Sequence, residues 1–182
     1  MRPYESRYGN VESGCIQLLY DIVSQMTKEV YVLLHNIRST HNVGSIFRTA
    51  DSVGVNKIYF SGFTPTPTDK FDRARKDIAK VALGAEKSIV WESISDLKKL
   101  IQKLKKEKFQ IIGIEQNKNS VDYKKVKTTE KVLFVIGNEV EGISNDILKL
   151  CNIVAEIPMR GKKESLNVSV AFGVALFRIL EI

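Results

Sequence analysis

Two hydrophobic periods alternate along the chain. Unbroken apolar runs of strand length occur at 30–34 (VYVLL), 57–60 (KIYF), 87–91 (KSIVW), 109–114 (FQIIGI), 132–136 (VLFVI) and 153–157 (IVAEI). Such runs, bounded by turn residues, predict buried strands. Between them the spacing changes to three and four. Val43, Ile46, Phe47 and Ala50 predict a helix over 42–53, with Gly54 as its stop. Leu97, Leu100, Ile101 and Leu104 predict one over 94–106, with lysines opposite. Residues 14–26, 71–82 and 146–150 also read as helices, whereas 61–69 (SGFTPTPTD) and the lysine-rich 117–130 read as loops. Six apolar strands alternating with helices predict an α/β fold: a mainly parallel sheet with helices on both faces. No internal repeat or linker divides it.

The chain closes on IPMRGKKESLNVSVAFGVALFRILEI, residues 157–182. A strand end breaks at Pro158, and a polar loop runs through Arg160, Gly161, Lys162, Lys163 and Glu164. Ser165 and Asn167 then stand at the start of a helix that is apolar almost all round. Ser and Asn in that position cap free backbone N–H groups. A helix with so little polar face is buried on several sides, in a core or a subunit interface. The loop is therefore pinned between two buried elements, which is how a scaffold presents a binding loop.

Composition narrows the class. With 182 residues, 43% hydrophobic and 27% charged, the chain has the make-up of an ordinary one-domain globular protein. No apolar run approaches the ~20 residues of a membrane span. The opening MRPYESRYGN has no apolar signal core, which predicts a cytoplasmic protein. Cys15 and Cys151 form no CxxC and read as reduced, half-buried residues; with only His35 and His41 beside them, no His/Cys metal cluster is expected. The net charge of +7 is concentrated in residues 93–131, where eleven lysines face Asp96, Glu107, Glu115, Asp122 and Glu130. That excess suits an anionic partner such as RNA, DNA or a membrane surface, or else a solvated face kept for solubility.

In an open parallel sheet, ligands bind beyond the carboxyl ends of the strands. Three loops there combine small or amide residues with a strong polar group. In 36–50 (NIRSTHNVGSIFRTA), Asn42 stands at a helix entrance and Gly44, one turn before Arg48, would bare the helix surface for a close approach. Arg48 also lies three residues from Asp51, a spacing that commonly marks a surface ion pair of little energetic weight. In 137–142 (GNEVEG), two glycines bracket Glu139, and glycine there would let a ligand reach the backbone. This is neither GxGxxG nor a Walker loop. The third loop is 157–167.

Together, IRSTHNVGSIFRTADSVGV, LFVIGNEVEGIS and IPMRGKKESLNVSVAFGVALFRI resemble the three ordered motifs of the SpoU (TrmH-like) RNA ribose 2′-O-methyltransferases of the SPOUT superfamily. KVALGAEKSIVWE is similar to a stretch seen in some members. The resemblance runs from about residue 30 to the C-terminus. It implies a leader at 1–29, a methyltransferase domain at 30–182, a C-terminal trefoil knot and a homodimer using the last helix. It also implies S-adenosyl-L-methionine as cofactor, held largely by backbone at Gly137, Ile157 and Leu166, with Asn42, Arg48, Glu139, Ser165 and Asn167 as the polar set. The sequence departs from the family at none of these. No metal and no membrane are implied. RNA is the implied partner, and tRNA is expected over rRNA because compact single-domain relatives often act on tRNA.

The resemblance assigns hydroxyl activation to Arg48. A guanidinium has a pKa above ~12 and is essentially never neutral. Gripping the neighbouring phosphate bidentately and lowering the hydroxyl pKa is the more economical role. The alternative from another class is a non-catalytic RNA-binding module on the same fold. A third reading is methylation of a base nitrogen or a protein.

Overall fold

A computed structural model of the chain describes residues 28–182; the helix expected over 14–26, and Cys15, lie outside the described residues. Seven strands form one parallel sheet: β1 (Glu29–His35), β2 (Lys57–Ser61), β3 (Val90–Ile94), β4 (Gln110–Ile114), β5 (Val121–Asp122), β6 (Lys131–Ile136) and β7 (Ile153–Glu156), in the order β3-β2-β1-β6-β4-β7-β5. The helices are α1 (Thr40–Ser52), α2 (Lys76–Ala82), α3 (Ala85–Ser88), α4 (Leu97–Lys106), α5 (Asn145–Leu148) and α6 (Val168–Leu180).

Strand residues alternate between the two faces. Val30, Val32 and Leu34 of β1 enter one core with Ile46 and Phe47 of α1 and Phe172 and Leu176 of α6. Leu33 enters the other, with Leu100, Ile101 and Leu104 of α4 and Ile147 of α5. Helices thus cover both faces, and a strand buried on both sides must read as an unbroken apolar run. Phe47, Phe60, Phe134 and Phe172 are fully buried; each such side chain contributes about 1.5–3 kcal/mol.

The helix ends have local causes. Ser39 caps α1, accepting from the Asn42 N–H at 3.3 Å. Gly54, at φ +72°, terminates it as the sequence suggested. Asp96 caps α4 by accepting from the Lys99 N–H at 2.9 Å. Because of that cap, Ile94 and Ser95 do not belong to the helix; Ile94 ends β3.

Three further expectations shift. The helix read over 71–82 begins only at Lys76: the Asp69 carboxylate accepts from the Phe71 and Arg73 N–H groups and folds 69–73 into a turn. The strand read over 87–91 begins at Val90, because 85–88 complete a helical turn after Gly84. The loop read over 117–130 contains the seventh strand, β5, whose two residues pair with Ala155 and Glu156 of β7. Two residues carry no period to read.

One register row defines the edge of the sheet at which the loops gather. Leu34 pairs with Ile136, Ile136 with Ile114, and Ile114 with Ala155. The strands are parallel, so the chain leaves β1, β6, β4 and β7 at the same edge. Asn36, Gly137, Glu115 and Ile157 are set side by side there.

Candidate active site

Beyond that row lies a cavity of about 230 Å³. Gly137 and Glu139 form one wall, Ile157, Ser165 and Leu166 a second, and Phe172 of α6 the floor. Five of the eight residues singled out in the sequence line it, from two separate loops.

A polar chain ties in the rest. Glu139 Oε1 accepts from the Ser39 N–H at 3.1 Å and the Asn42 side-chain amide at 2.9 Å, while Oε2 accepts from the Arg38 N–H at 2.9 Å. Asn167 Nδ2 donates to Asn42 Oδ1 at 3.1 Å, and its own Oδ1 accepts from the Ser169 N–H, capping α6. Glu139, Asn42 and Asn167 therefore lock all three loops to one another. Burial alone would push the Glu139 carboxyl up, but the donors from Arg38, Asn42 and Ser39 outweigh it and hold the group below its ordinary value. With both oxygens committed, Glu139 is a weak base and a positioning residue.

Ser165 is not a cap; it lines the cavity, and Asn167 alone caps the helix. Arg48 stands apart. It is exposed on α1, outside the cavity wall, and no carboxylate or ring among the described residues pairs with it. The pairing with Asp51 suggested by spacing does not form: Asp51 accepts instead from the Ser88 hydroxyl at 2.8 Å.

Gly44 acts differently from the sequence expectation, while Gly137 does line the cavity. A Cβ on Gly44 would lie 2.7 Å from Val81 Cβ and 2.8 Å from Ile78 O. Gly44 thus brings α1 against α2 and bares nothing for a ligand. A Cβ on Gly137 would lie 2.5 Å from the Gly142 carbonyl. Gly137 lets the 137–142 loop close, with Asn138 and Gly142 exchanging N–H···O bonds at 3.1 and 3.0 Å.

Sequence reasoning missed three members. Glu115 Oε2 accepts from the Ile143 N–H at 2.8 Å and steadies that loop against the cavity. The buried Asn138 donates to Asn36 O at 2.7 Å and accepts from the Val140 and Glu141 N–H groups. Asn36, at φ +58°, donates through Nδ2 to His35 Nε2 at 3.0 Å. This leaves His35 Nδ1–H to donate to Ser61 Oγ at 2.8 Å, and burial keeps the ring neutral by lowering its pKa. Glu115 was findable, since it follows β4 at the ligand-binding edge. Asn36 and Asn138 sat inside quoted motifs, but only the fold shows that they bond to each other.

Among the described residues, no group of His, Cys, Asp and Glu is placed to hold a metal, and no helix is long and apolar enough to cross a membrane. Cys151 is half-buried, and burial pushes its thiol up to about 11.

The cavity's chemistry fits S-adenosylmethionine. Ile157, Leu166 and Phe172 offer an apolar slot for a flat base, and among the described residues the charged groups lining it are Glu115, Glu139 and Glu141. A negative, half-apolar cleft suits a ligand carrying a sulfonium and an ammonium group.

Comparison with known proteins agrees with the fold. The chain is 32% identical over 166 residues to tRNA (guanosine(18)-2′-O)-methyltransferase of Aquifex aeolicus, covering 89% of this chain and 74% of that one. The crystal structure of the A. aeolicus TrmH/SpoU tRNA modifying enzyme superposes with a TM-score of 0.75 at 28% identity, over 94% of this chain and 83% of that one. The AdoMet-bound rRNA methyltransferase of Sinorhizobium meliloti gives 0.74 at 26% identity, over 87% of this chain and 59% of that one. The chain likewise spans only 57% of a Staphylococcus aureus protein named for the TrmH family, to which it is 31% identical. The sequence model for one family matches residues 29–177, spanning β1 to α6 and every candidate site residue. The chain belongs to the SpoU rRNA Methylase family.

Proposed function

We propose that this chain transfers a methyl group from S-adenosylmethionine to a ribose 2′-hydroxyl of RNA, with tRNA the favoured acceptor over rRNA. It works as a cytoplasmic homodimer without a metal, residues 30–182 forming the methyltransferase domain behind a leader at 1–29. The observation that carries this reading is the cleft in which the Gly137, Ile157 and Leu166 bends meet beside carboxylates. The A. aeolicus and S. meliloti relatives, named as tRNA and rRNA methyltransferases, support it. A trefoil knot is also proposed: β6 sits between β1 and β4, and the chain then steps over β4 to lay β7 on its far side. An experimental chain trace in which the last helix passes outside every loop would remove the knot.

When bound, the cofactor supplies an electrophilic methyl group on sulfur. The protein's part is placement. Gly137, Ile157 and Leu166 would hold the adenosine end, and the Glu139–Asn42–Asn167 chain fixes the loops that would place the acceptor hydroxyl beside it. Ser165, on the wall, holds the methionine end or the target nucleotide. Arg48, whose guanidinium has no carboxylate or ring beside it among the described residues, grips the phosphate next to the target ribose and lowers the hydroxyl pKa. The proton leaves to phosphate or water. Arg38, Arg160, Lys162 and Lys163 lie on the loops that build the site and are exposed. They are the nearest basic groups for the RNA backbone, and RNA affinity is expected to fall steeply with added salt. Most of the α4 lysines sit toward the opposite edge, since α4 runs antiparallel to the strands.

The test is transfer of labelled methyl to unmodified tRNA transcripts, followed by digestion. The expected result is label on ribose, in a dinucleotide resistant to alkaline cleavage. Label on a base would replace the acceptor. Cofactor binding without transfer to any RNA would favour the non-catalytic module.

The dimer reading has its own observation. Val170, Val174 and Phe177 form one stripe on the outer side of α6, exposed by 49%, 38% and 40%. Three large apolar groups at i, i+4 and i+7 on an already buried helix suit a second copy of that helix. Val174→Asp is expected to yield monomers in light scattering where the parent chain gives dimers. A parent chain that is monomeric at micromolar concentration would end this reading.

A further inference from the structure

The loop after β2 is absorbed by neither the cavity nor the cores. Residues 61–75 carry two large aromatic side chains left in solvent, Phe63 at 59% and Phe71 at 64% exposure. The loop that holds them is built, not loose. Buried Thr64 donates from its hydroxyl to Ser61 O at 2.9 Å and accepts from the Ile37 N–H at 3.0 Å. Pro65 and Pro67 restrict the backbone between. Arg75 N–H donates to Pro67 O at 2.9 Å and closes the base of the turn. A rigid loop that ends in exposed rings forgoes their burial.

The loop's position gives the rings a use. Phe63 N–H donates to Asn36 Oδ1 at 3.3 Å, and Asn36 O accepts from Asn138, which lines the cavity. The approach is so close that only glycine fits at Gly62, where φ is +65° and a Cβ would strike Asn36 Oδ1. Phe63 is therefore one residue removed from the cavity wall. Farther out, Lys70 Nζ and the Arg73 guanidinium stand 5.0 and 4.9 Å from the Phe71 ring centre. Exposed aromatic faces interleaved with cations are the elements that bind unpaired nucleotides: rings stack on bases, cations follow the phosphates.

We propose that the 61–75 loop is an RNA-docking arm, in which Phe63 stacks on an unpaired base next to the target nucleotide and the Phe71 cluster holds the flanking strand. This rests on the RNA-methyltransferase reading and deepens it: the acceptor is unpaired at the methylated site. A docked protein would also cover exposed rings; Arg73 pairs with the Asp69 carboxylate at 2.7 Å, but Lys70, with no carboxylate beside it among the described residues, favours a polyanion.

The test compares the full-length parent chain with Phe63→Ala and Phe63→Trp. Binding is measured to a short fluorescently labelled unpaired RNA oligonucleotide and to the same strand fully paired. Phe63→Ala is expected to weaken unpaired RNA binding about tenfold and to leave duplex binding unchanged. Phe63→Trp should retain parental affinity. In turnover, Phe63→Ala should raise KM for RNA by a similar factor with little change in kcat. Affinity for S-adenosylmethionine, whose cavity Phe63 does not line, should match the parent. Equal losses on both RNAs, no loss on either, or a lowered melting temperature for Phe63→Ala would overturn the proposal. A docked protein partner is the reading left by no loss on either RNA. A parent chain that transfers no methyl to any RNA would refute the underlying function while the unpaired-against-paired comparison still reads out.

Discussion

Replacing Arg48 by alanine is expected to reduce methyl transfer by about 10²- to 10³-fold while leaving S-adenosylmethionine affinity within a factor of two. The first figure follows from what a bidentate guanidinium does beside developing negative charge: loss of one such group typically removes about 3–4 kcal/mol of transition-state stabilisation. The second follows from geometry. Arg48 does not line the cofactor cleft, and no acidic or aromatic side chain among the described residues is bonded to it. Its removal disturbs no such contact inside the protein, so melting temperature should also hold. Arg48→Lys keeps the charge and loses the fork. It should recover part of the rate if the group acts by field alone, and little if it must hold two phosphate oxygens. The checks are single-turnover rates and calorimetric titration of the cofactor on the same three proteins. Parental turnover by Arg48→Ala would remove this arginine from the reaction.

How much of this was legible in the sequence depended on how far apart the interacting residues are. Strands β1, β2, β4 and β6 were readable because burial on both faces demands unbroken apolar runs, and α4 because Leu97, Leu100, Ile101 and Leu104 repeat at helical spacing. The start of α2 was misread because one carboxylate, Asp69, takes the N–H groups that a helix would have used. Strand β5 was unreadable because a two-residue pairing leaves no pattern. The site residues were legible as motifs through resemblance, but their roles were not. Gly44 looked like a ligand approach and is a packing contact instead, set by Val81 at long range; Gly137 lines the cavity and, through Gly142, also lets its own loop close. Glu139 meets Ser39 and Asn42 across about a hundred positions of chain. No local spacing encodes a bond of that kind; the sheet register creates it.

Glu139→Gln makes that bond the second large prediction. The carboxylate receives three donors, from Arg38, Ser39 and Asn42. A glutamine presents an NH₂ group where one of the oxygens was, so donor faces donor on one side whichever way the amide is turned. Leaving a half-buried donor unsatisfied, and losing charge assistance for the others, costs about 2 kcal/mol. For a chain of this size that corresponds to a melting temperature lower by about 4–8 °C. The kinetic effect should be larger, about 10²-fold in kcat/KM, because the 137–142 loop, the turn before α1 and, through Asn42, Asn167 lose their common tie. The pH dependence separates this tie from general loss of packing. The folded-state pKa of Glu139 lies below its ordinary 4.5. Its contribution to stability is therefore fully present above pH 4.5 and fades as pH falls through the lowered value. The stability gap between the parent chain and Glu139→Gln should be widest near neutral pH and should narrow below pH 4.5 in denaturant titrations. A gap that stays constant from pH 7 to pH 3 would mean that the carboxylate charge does not join the three loops.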